Sequence, residues 1–347
     1  MTEYATRTTQ YVSRITQRGS RQLIADAALL GVTAIWGATF VMVKDAVASF
    51  PVFSFMTLRF VFAAIVLLPF VYLRRRSRRA EGQESRETGE WESKGVGERG
   101  RFFPPILLLS HSPTLQLSIA PLLIGIALFA GYAFQTAGLH LTTPAKAGFI
   151  TGLSVVIVPV VSALRPHRGQ APERSAWLGV GLAMAGLALL SLQNGLAIAP
   201  GDLLVFCCAL AFAVHILLTG RFAPQFDPVL LTFGQIVVVM LLSGVAALLF
   251  DVRSSGDLTS LFAGLNRQVL FAAAFTGLFA TSLAFGIQTV AQRFTSSTHT
   301  ALIFAAEPVF AALFSFLLIG ELLGPRQLLG CGLILAGMVV AEMRPGK

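Results

Sequence analysis

The strongest constraint on this chain is a series of apolar runs, each about as long as a bilayer is thick. A membrane-crossing helix needs about 20 predominantly apolar residues. Ten runs come close to that length, at about 23–43, 52–72, 118–139, 144–164, 176–193, 202–220, 228–250, 269–290, 297–319 and 326–343. They mix Leu, Val and Phe with Ala and Gly and show no sustained alternation of period two, which favours helices over a β-barrel. Of the 347 residues, 55% are hydrophobic and 12% charged, where a soluble chain carries roughly 25% charge. The expected fold is therefore an all-α integral membrane protein with ten transmembrane helices.

The formal net charge is +9, and its distribution carries more information than its size. With the amino terminus placed in the cytoplasm, twenty of the 26 Lys and Arg fall in inside segments, five fall outside, and Arg59 lies within a run. Such a bias orients membrane helices with their basic flanks inward. Both termini are expected in the cytoplasm, with residues 1–22 as a tail. The expected location is the plasma membrane, the inner membrane of a bacterium. The basic balance then reports topology and contact with anionic lipid, and argues against nucleic acid as a partner. Polar residues fill the stretch before the first run and no small-residue cleavage site follows it, so that run is expected to stay as a helix and not to be removed as a signal peptide.

Cys207, Cys208 and Cys331 all fall within runs, as small packing residues with neither disulfide nor metal spacing. There is no GxxxxGK[ST] phosphate loop and no HExxH or GxSxG motif. No cofactor or metal is expected, and an enzyme is not.

The chain repeats itself. AWLGVGLAMAGLA (176–188) matches QLLGCGLILAGMV (327–339), so that Gly179, Gly181 and Gly186 have the spacing of Gly330, Gly332 and Gly337. Small residues at such positions let helices pack closely in lipid. One copy is the fifth run and the other the tenth. The chain thus divides into two five-helix repeats, 23–193 and 201–343. A repeat with an odd number of spans must insert its second copy upside down, a construction common among secondary transporters.

Several stretches resemble one family. AIWGATFVMVKDA (34–46), TLRF (57–60), TTPAKAGFITGLSVVIVPVVSAL (142–164), GD (201–202) and ALIFAAEPVFAALFSFLLIGE (301–321) stand in the order and positions of the ten-helix EamA-type proteins of the drug/metabolite transporter superfamily. The resemblance covers nearly the whole chain except 73–117. It implies a two-fold inverted-repeat transporter, often an exporter of amino acids or other small metabolites. There are departures. LRPHRG (164–169) stands where many relatives end the fourth span in Gly-Glu, and Phe212 stands where many have a tryptophan. The link 73–117 is far longer than usual and is charged along much of its length, so it is expected to be a disordered cytoplasmic segment. Its end, 102–117, is expected to approach the third span along the membrane interface.

Glu307 lies near the middle of the ninth run, where a charge costs roughly 2.5–3.5 kcal/mol. Pro308 beside it removes a backbone donor and weakens the helix just before it. A broken helix beside a carboxylate suits a central cavity, in which Glu307 contacts a substrate ammonium or takes up a proton. The alternative is a structural carboxyl bonded to another helix. Arg59 pairs with Glu307, holds a substrate carboxylate, or simply anchors the second span. Trp36 stacks on substrate or packs. His215 relays a proton or packs. Tyr132, Gln135 and Gln288 bond either a polar substrate or other helices. Asp26, Lys44, Asp45 and Glu321 lie near span ends as anchors. Together these residues point to a secondary transporter, an exporter of small polar or amphipathic, amino-acid-like metabolites. It would work by alternating access, with a small-molecule substrate, the lipid bilayer and protons as partners, as a monomer or homodimer. A receptor or scaffold that moves nothing is the alternative.

Overall fold

The computed structural model describes residues 2–87, 113–139, 141–142, 144–164, 172–191, 200–255, 264–320, 322 and 324–342. Among them there is no strand, and ten apolar helical segments follow one another in the predicted order. The first four are Thr2–Ser49, Val52–Glu87, Pro113–Leu139, and the pair Pro144–Gly152 and Ser154–Leu164. The fifth and sixth are Arg174–Ser191 and Pro200–Phe222. The seventh runs from Pro228 to Ala246 and on through a π-helical turn, Ala247–Asp251. The eighth is Arg267–Phe275, a π-helical stretch Thr276–Leu283, and Ala284–Ala291. The ninth is the pair Ser297–Phe304 and Glu307–Ile319, and the tenth is Pro325–Glu342. Eight of these are long and apolar enough to cross a membrane; the fifth and tenth are shorter apolar helices.

Local sequence sets many of the boundaries. Five helices open on proline, at Pro113, Pro144, Pro200, Pro228 and Pro325, where a missing N–H costs nothing. Asp227, Asn266 and Ser296 cap helix starts by accepting backbone N–H bonds from Val229, Val269 and His299 at 3.0, 2.9 and 3.2 Å. The ninth segment ends at Gly320, whose φ of 71° few other residues adopt easily. Large apolar side chains such as Leu241, Leu248 and Phe271 face outward, while the interior holds Ala, Gly and hydroxyl residues, among them Thr33, Thr276 and Thr289. That distribution suits a bundle immersed in hydrocarbon, where small interfacial residues and buried hydroxyls join helices.

The fifth and tenth segments meet backbone to backbone. A Cβ on Gly179 would come 2.5 Å from Gly337 O, and one on Gly186 would come 2.5 Å from Gly330 O. The reverse contacts, from Gly337 to Gly179 O and from Gly330 to Gly186 O, are 2.6 and 2.7 Å. Seven residues forward on one helix matches seven backward on the other, so the pair is antiparallel, and its contacts are exchanged by a half-turn. The same exchange recurs elsewhere. Gly125 of the third segment abuts Gln235 O of the seventh, and Gly277 of the eighth abuts Arg59 O of the second.

Three expectations change. Gly181 and Gly332 meet no atom within 4 Å of an added Cβ and are exposed. They lie two residues, about 200°, around the helix from Gly179 and Gly330 and so cannot share the seam. The second helix runs on to Glu87, so residues 73–87 are helical where a disordered link was expected. The third helix starts at Pro113, inside the expected interfacial stretch. Residues 88–112, 165–169 and Glu321 lie outside the described residues.

Candidate functional site

Two helices are broken in the middle. The fourth breaks at Leu153, next to Gly152, and the ninth at Ala305–Ala306, just before Glu307. Pro308 lacks the N–H that would bond Phe304 O and crowds that carbonyl. The chain there tightens to three-residue bonds, from Ala305 N to Leu302 O at 3.2 Å and from Ala306 N to Ile303 O at 3.0 Å. Glu307 thus opens a new helix whose first turn holds its carboxylate, a favourable place for negative charge. Gly37 lets the first segment approach this helix at Phe310 and Ala311.

The Glu307 carboxyl is partly buried and accepts no hydrogen bond among the described residues. Arg59, 7% exposed, is the cation whose charge acts on it. No direct ion pair joins the two among the described residues. The guanidinium is held from behind: Nε donates to Thr281 Oγ1 at 2.7 Å, and Nη2 to Ala280 O at 3.2 Å and to the Tyr132 hydroxyl at 3.5 Å. Nη1 has no partner among the described residues, which leaves two donors of a fixed fork uncommitted. The guanidinium carbon lies 5.4 Å from the Tyr132 ring centroid, within cation–π range.

Aromatic rings wall this group. Trp36 packs on Phe304 and Phe285, with centroids at 4.8 and 5.7 Å. Tyr132 packs edge-on against Phe212 and Phe60, at 5.6 and 5.9 Å. Trp36 Nε1 donates to Ala280 O at 2.9 Å. That acceptor belongs to the π-helical stretch of the eighth segment, an element frequently found at functional sites.

The structure therefore brings Arg59, Tyr132, Trp36 and Glu307 into one neighbourhood, built from the second, third, first and ninth segments. His215 lies behind the aromatic wall: it bonds Gln235 at 2.9 Å, is 2% exposed, and meets edge-on Phe285, the ring that also packs on Trp36. Gln235 continues to Thr289, which joins Thr232 at 3.0 Å. Gln288 donates to Gln292, which donates to Ile216 O at 2.9 Å, so it lies within a second helix-joining chain. Gln135 is partly buried and makes no hydrogen bond among the described residues. Sequence reasoning missed Thr281 and the Ala280 carbonyl; adjacent hydroxyls at Thr281-Ser282 in an apolar run were the available signal.

A helical membrane bundle with two interrupted helices and a charged, aromatic-walled centre is the build of a membrane transporter. The EamA-like transporter family model matches the chain twice, over residues 23–192 and 199–343, once in each half. An archaeal protein named uncharacterized transporter, from Archaeoglobus fulgidus, is 33% identical over 96% of this chain and 92% of its own. The chain belongs to the EamA-like transporter family. The uncharacterized inner membrane transporter YedA of Escherichia coli K12 is 24% identical over 91% of this chain and 90% of its own. A crystal structure of a protein with 20% identity superimposes with a TM-score of 0.67, covering 93% of this chain and 98% of that one, which shows the same fold.

Proposed function

We propose that this protein is a secondary transporter that exports small polar or amphipathic, amino-acid-like metabolites by alternating access. The observation that carries this reading is that one aromatic-walled neighbourhood holds both a carboxylate with no hydrogen bond among the described residues, Glu307 at a helix break, and a guanidinium nitrogen with none, Arg59 Nη1. A zwitterion offers an ammonium to the first and a carboxylate to the second, and its apolar side chain meets Trp36, Tyr132 and Phe304. Residues 23–193 and 201–343 act as inverted halves, a reading supported by the reciprocal glycine contacts and the doubled family match. They rock about the seam of the fifth and tenth segments, with both termini in the cytoplasm. Proton uptake at Glu307 couples movement to a pH gradient.

The test is transport in proteoliposomes. Zwitterionic amino acids are screened with and without a pH gradient, for wild type, Glu307→Gln and Arg59→Gln. The expected outcome is uptake by wild type, loss of gradient dependence in Glu307→Gln, and loss of zwitterion selectivity in Arg59→Gln. Uptake unchanged in both variants under every gradient would remove both residues from the mechanism.

A further inference from the structure

Away from the charged centre, a cavity of about 560 Å³ opens between the first, second, seventh and eighth segments. Its walls include Ile24, Phe70, Leu283, Gly286, Val290 and Phe294. Only three lining residues have polar side chains: Arg21, Thr232 and Ser282. Two of these are already engaged. The Thr232 hydroxyl donates to Thr289 at 3.0 Å, and the Ser282 hydroxyl lies 3.0 Å from Ala63 O and 2.9 Å from Gly277 O. A bound water needs two to four polar partners, and these walls do not supply them. A polar solute would lose its hydration here without replacement. The cavity is thus unsuited to the polar substrate of the central site.

Hydrocarbon is the matching occupant. Ile24, Phe70 and Val290 are 69%, 56% and 44% exposed, so the crevice opens sideways, where a membrane helix meets acyl chains. One end is basic. Arg21 lines it, Arg293 adjoins the lining residue Phe294, and Arg75 and Arg76 follow the apolar part of the second segment, five and six residues beyond the lining Phe70. Arg74 is committed to Asp227 at 2.6 Å, the residue before the lining Pro228, which fixes the second and seventh segments on either side of the mouth. Near a membrane surface each basic residue contributes about 1 kcal/mol toward anionic lipid.

We infer that this groove binds an anionic glycerophospholipid of the adjacent leaflet, with one acyl chain between the four helices and the phosphate at Arg21. The lipid would wedge between segments belonging to different halves and so bear on their relative position.

Native mass spectrometry of the detergent-purified full chain tests this, with dioleoylphosphatidylglycerol titrated against chain-matched phosphatidylcholine. The phosphatidylglycerol is expected to bind more tightly. Arg21→Gln is expected to weaken it roughly fivefold, the effect of one basic residue, and to weaken phosphatidylcholine, whose phosphate is offset by choline, by less. Gly286→Leu fills the groove at a site where an added Cβ meets nothing within 4 Å, and is expected to weaken both lipids. Equal binding of the two lipids with Arg21→Gln silent overturns the headgroup site. Undiminished binding to Gly286→Leu overturns the groove, and dimers appearing in place of lipid adducts would assign it to a second copy. If Gly286→Leu does not fold, the exposed Arg21→Gln variant decides alone.

Discussion

Trp36 and Arg59 share one acceptor. Trp36 Nε1 and Arg59 Nη2 both donate to the carbonyl of Ala280, at 2.9 and 3.2 Å. The ring comes from the first segment and the guanidinium from the second, and the acceptor sits in the π-helical stretch of the eighth. The first and second segments belong to one half of the chain and the eighth to the other, so the two donors are positioned across the divide between the halves.

That arrangement makes Thr281 a positioning residue, since it fixes Arg59 Nε at 2.7 Å. Thr281→Val keeps the shape and removes the acceptor. A hydrogen bond to a charged group contributes about 1.5–3 kcal/mol, so substrate affinity measured in proteoliposomes should fall by at least about tenfold. Thr281→Ser should restore it. A merely structural hydroxyl would lower thermal stability in Thr281→Val and leave substrate affinity and zwitterion selectivity intact.

The glycine seam gives a paired prediction. Gly179→Ala and Gly186→Ala drive a methyl group into the backbone of the tenth segment, and overpacking costs about 1–3 kcal/mol. Both should lower the melting temperature in detergent. Gly181→Ala and Gly332→Ala face open space and should stay within about 0.5 kcal/mol of wild type. Equal effects at all four positions would contradict the antiparallel seam.

Asp227 does two jobs at one end of the bundle. Its Oδ1 accepts from Val229 N and Leu230 N, and its Oδ2 accepts from Arg74 at 2.6 Å. At the other end Asp251 Oδ2 accepts from Ser54 N and Oγ at 2.7 and 2.8 Å, again joining the second and seventh segments. Asp227→Asn keeps the cap and loses the ion pair; with Arg74 half exposed, that loss should cost no more than about 1 kcal/mol. Asp227→Ala loses both, and a lost cap adds about 1 kcal/mol. Thermal unfolding of the two variants separates the contributions.

Much of the fold was legible because lipid imposes it. Apolar runs and N1 prolines mark the helices, and Pro308 marks the break by a local conflict that needs no tertiary knowledge. The repeat was legible as a spacing. Which glycines meet was assigned too broadly, although the 200° offset of Gly181 was already implied by helix geometry. The extension to Glu87 escaped because Arg, Ala, Glu and Gln bury nothing, so their composition reads as disorder. These residues are nonetheless good helix formers, and continuing a helix already nucleated in the membrane avoids the unfavourable first turn. The grouping of Arg59, Tyr132, Trp36 and Glu307 depends on four segments meeting, and single positions in a sequence do not encode that. His215 and Gln288 looked equally suitable as isolated polar residues; their bonds to Gln235 and Gln292 decide where they belong.

The most direct measurement is the accessibility of position 307 from each side of the membrane. Cys207, Cys208 and Cys331 are free thiols, so all three are first replaced by alanine, and Glu307→Cys is then labelled with a membrane-impermeant maleimide in vesicles of each orientation. Alternating access to a central site predicts labelling from both faces. Labelling only by a lipid-soluble reagent, or from neither face, would contradict the account.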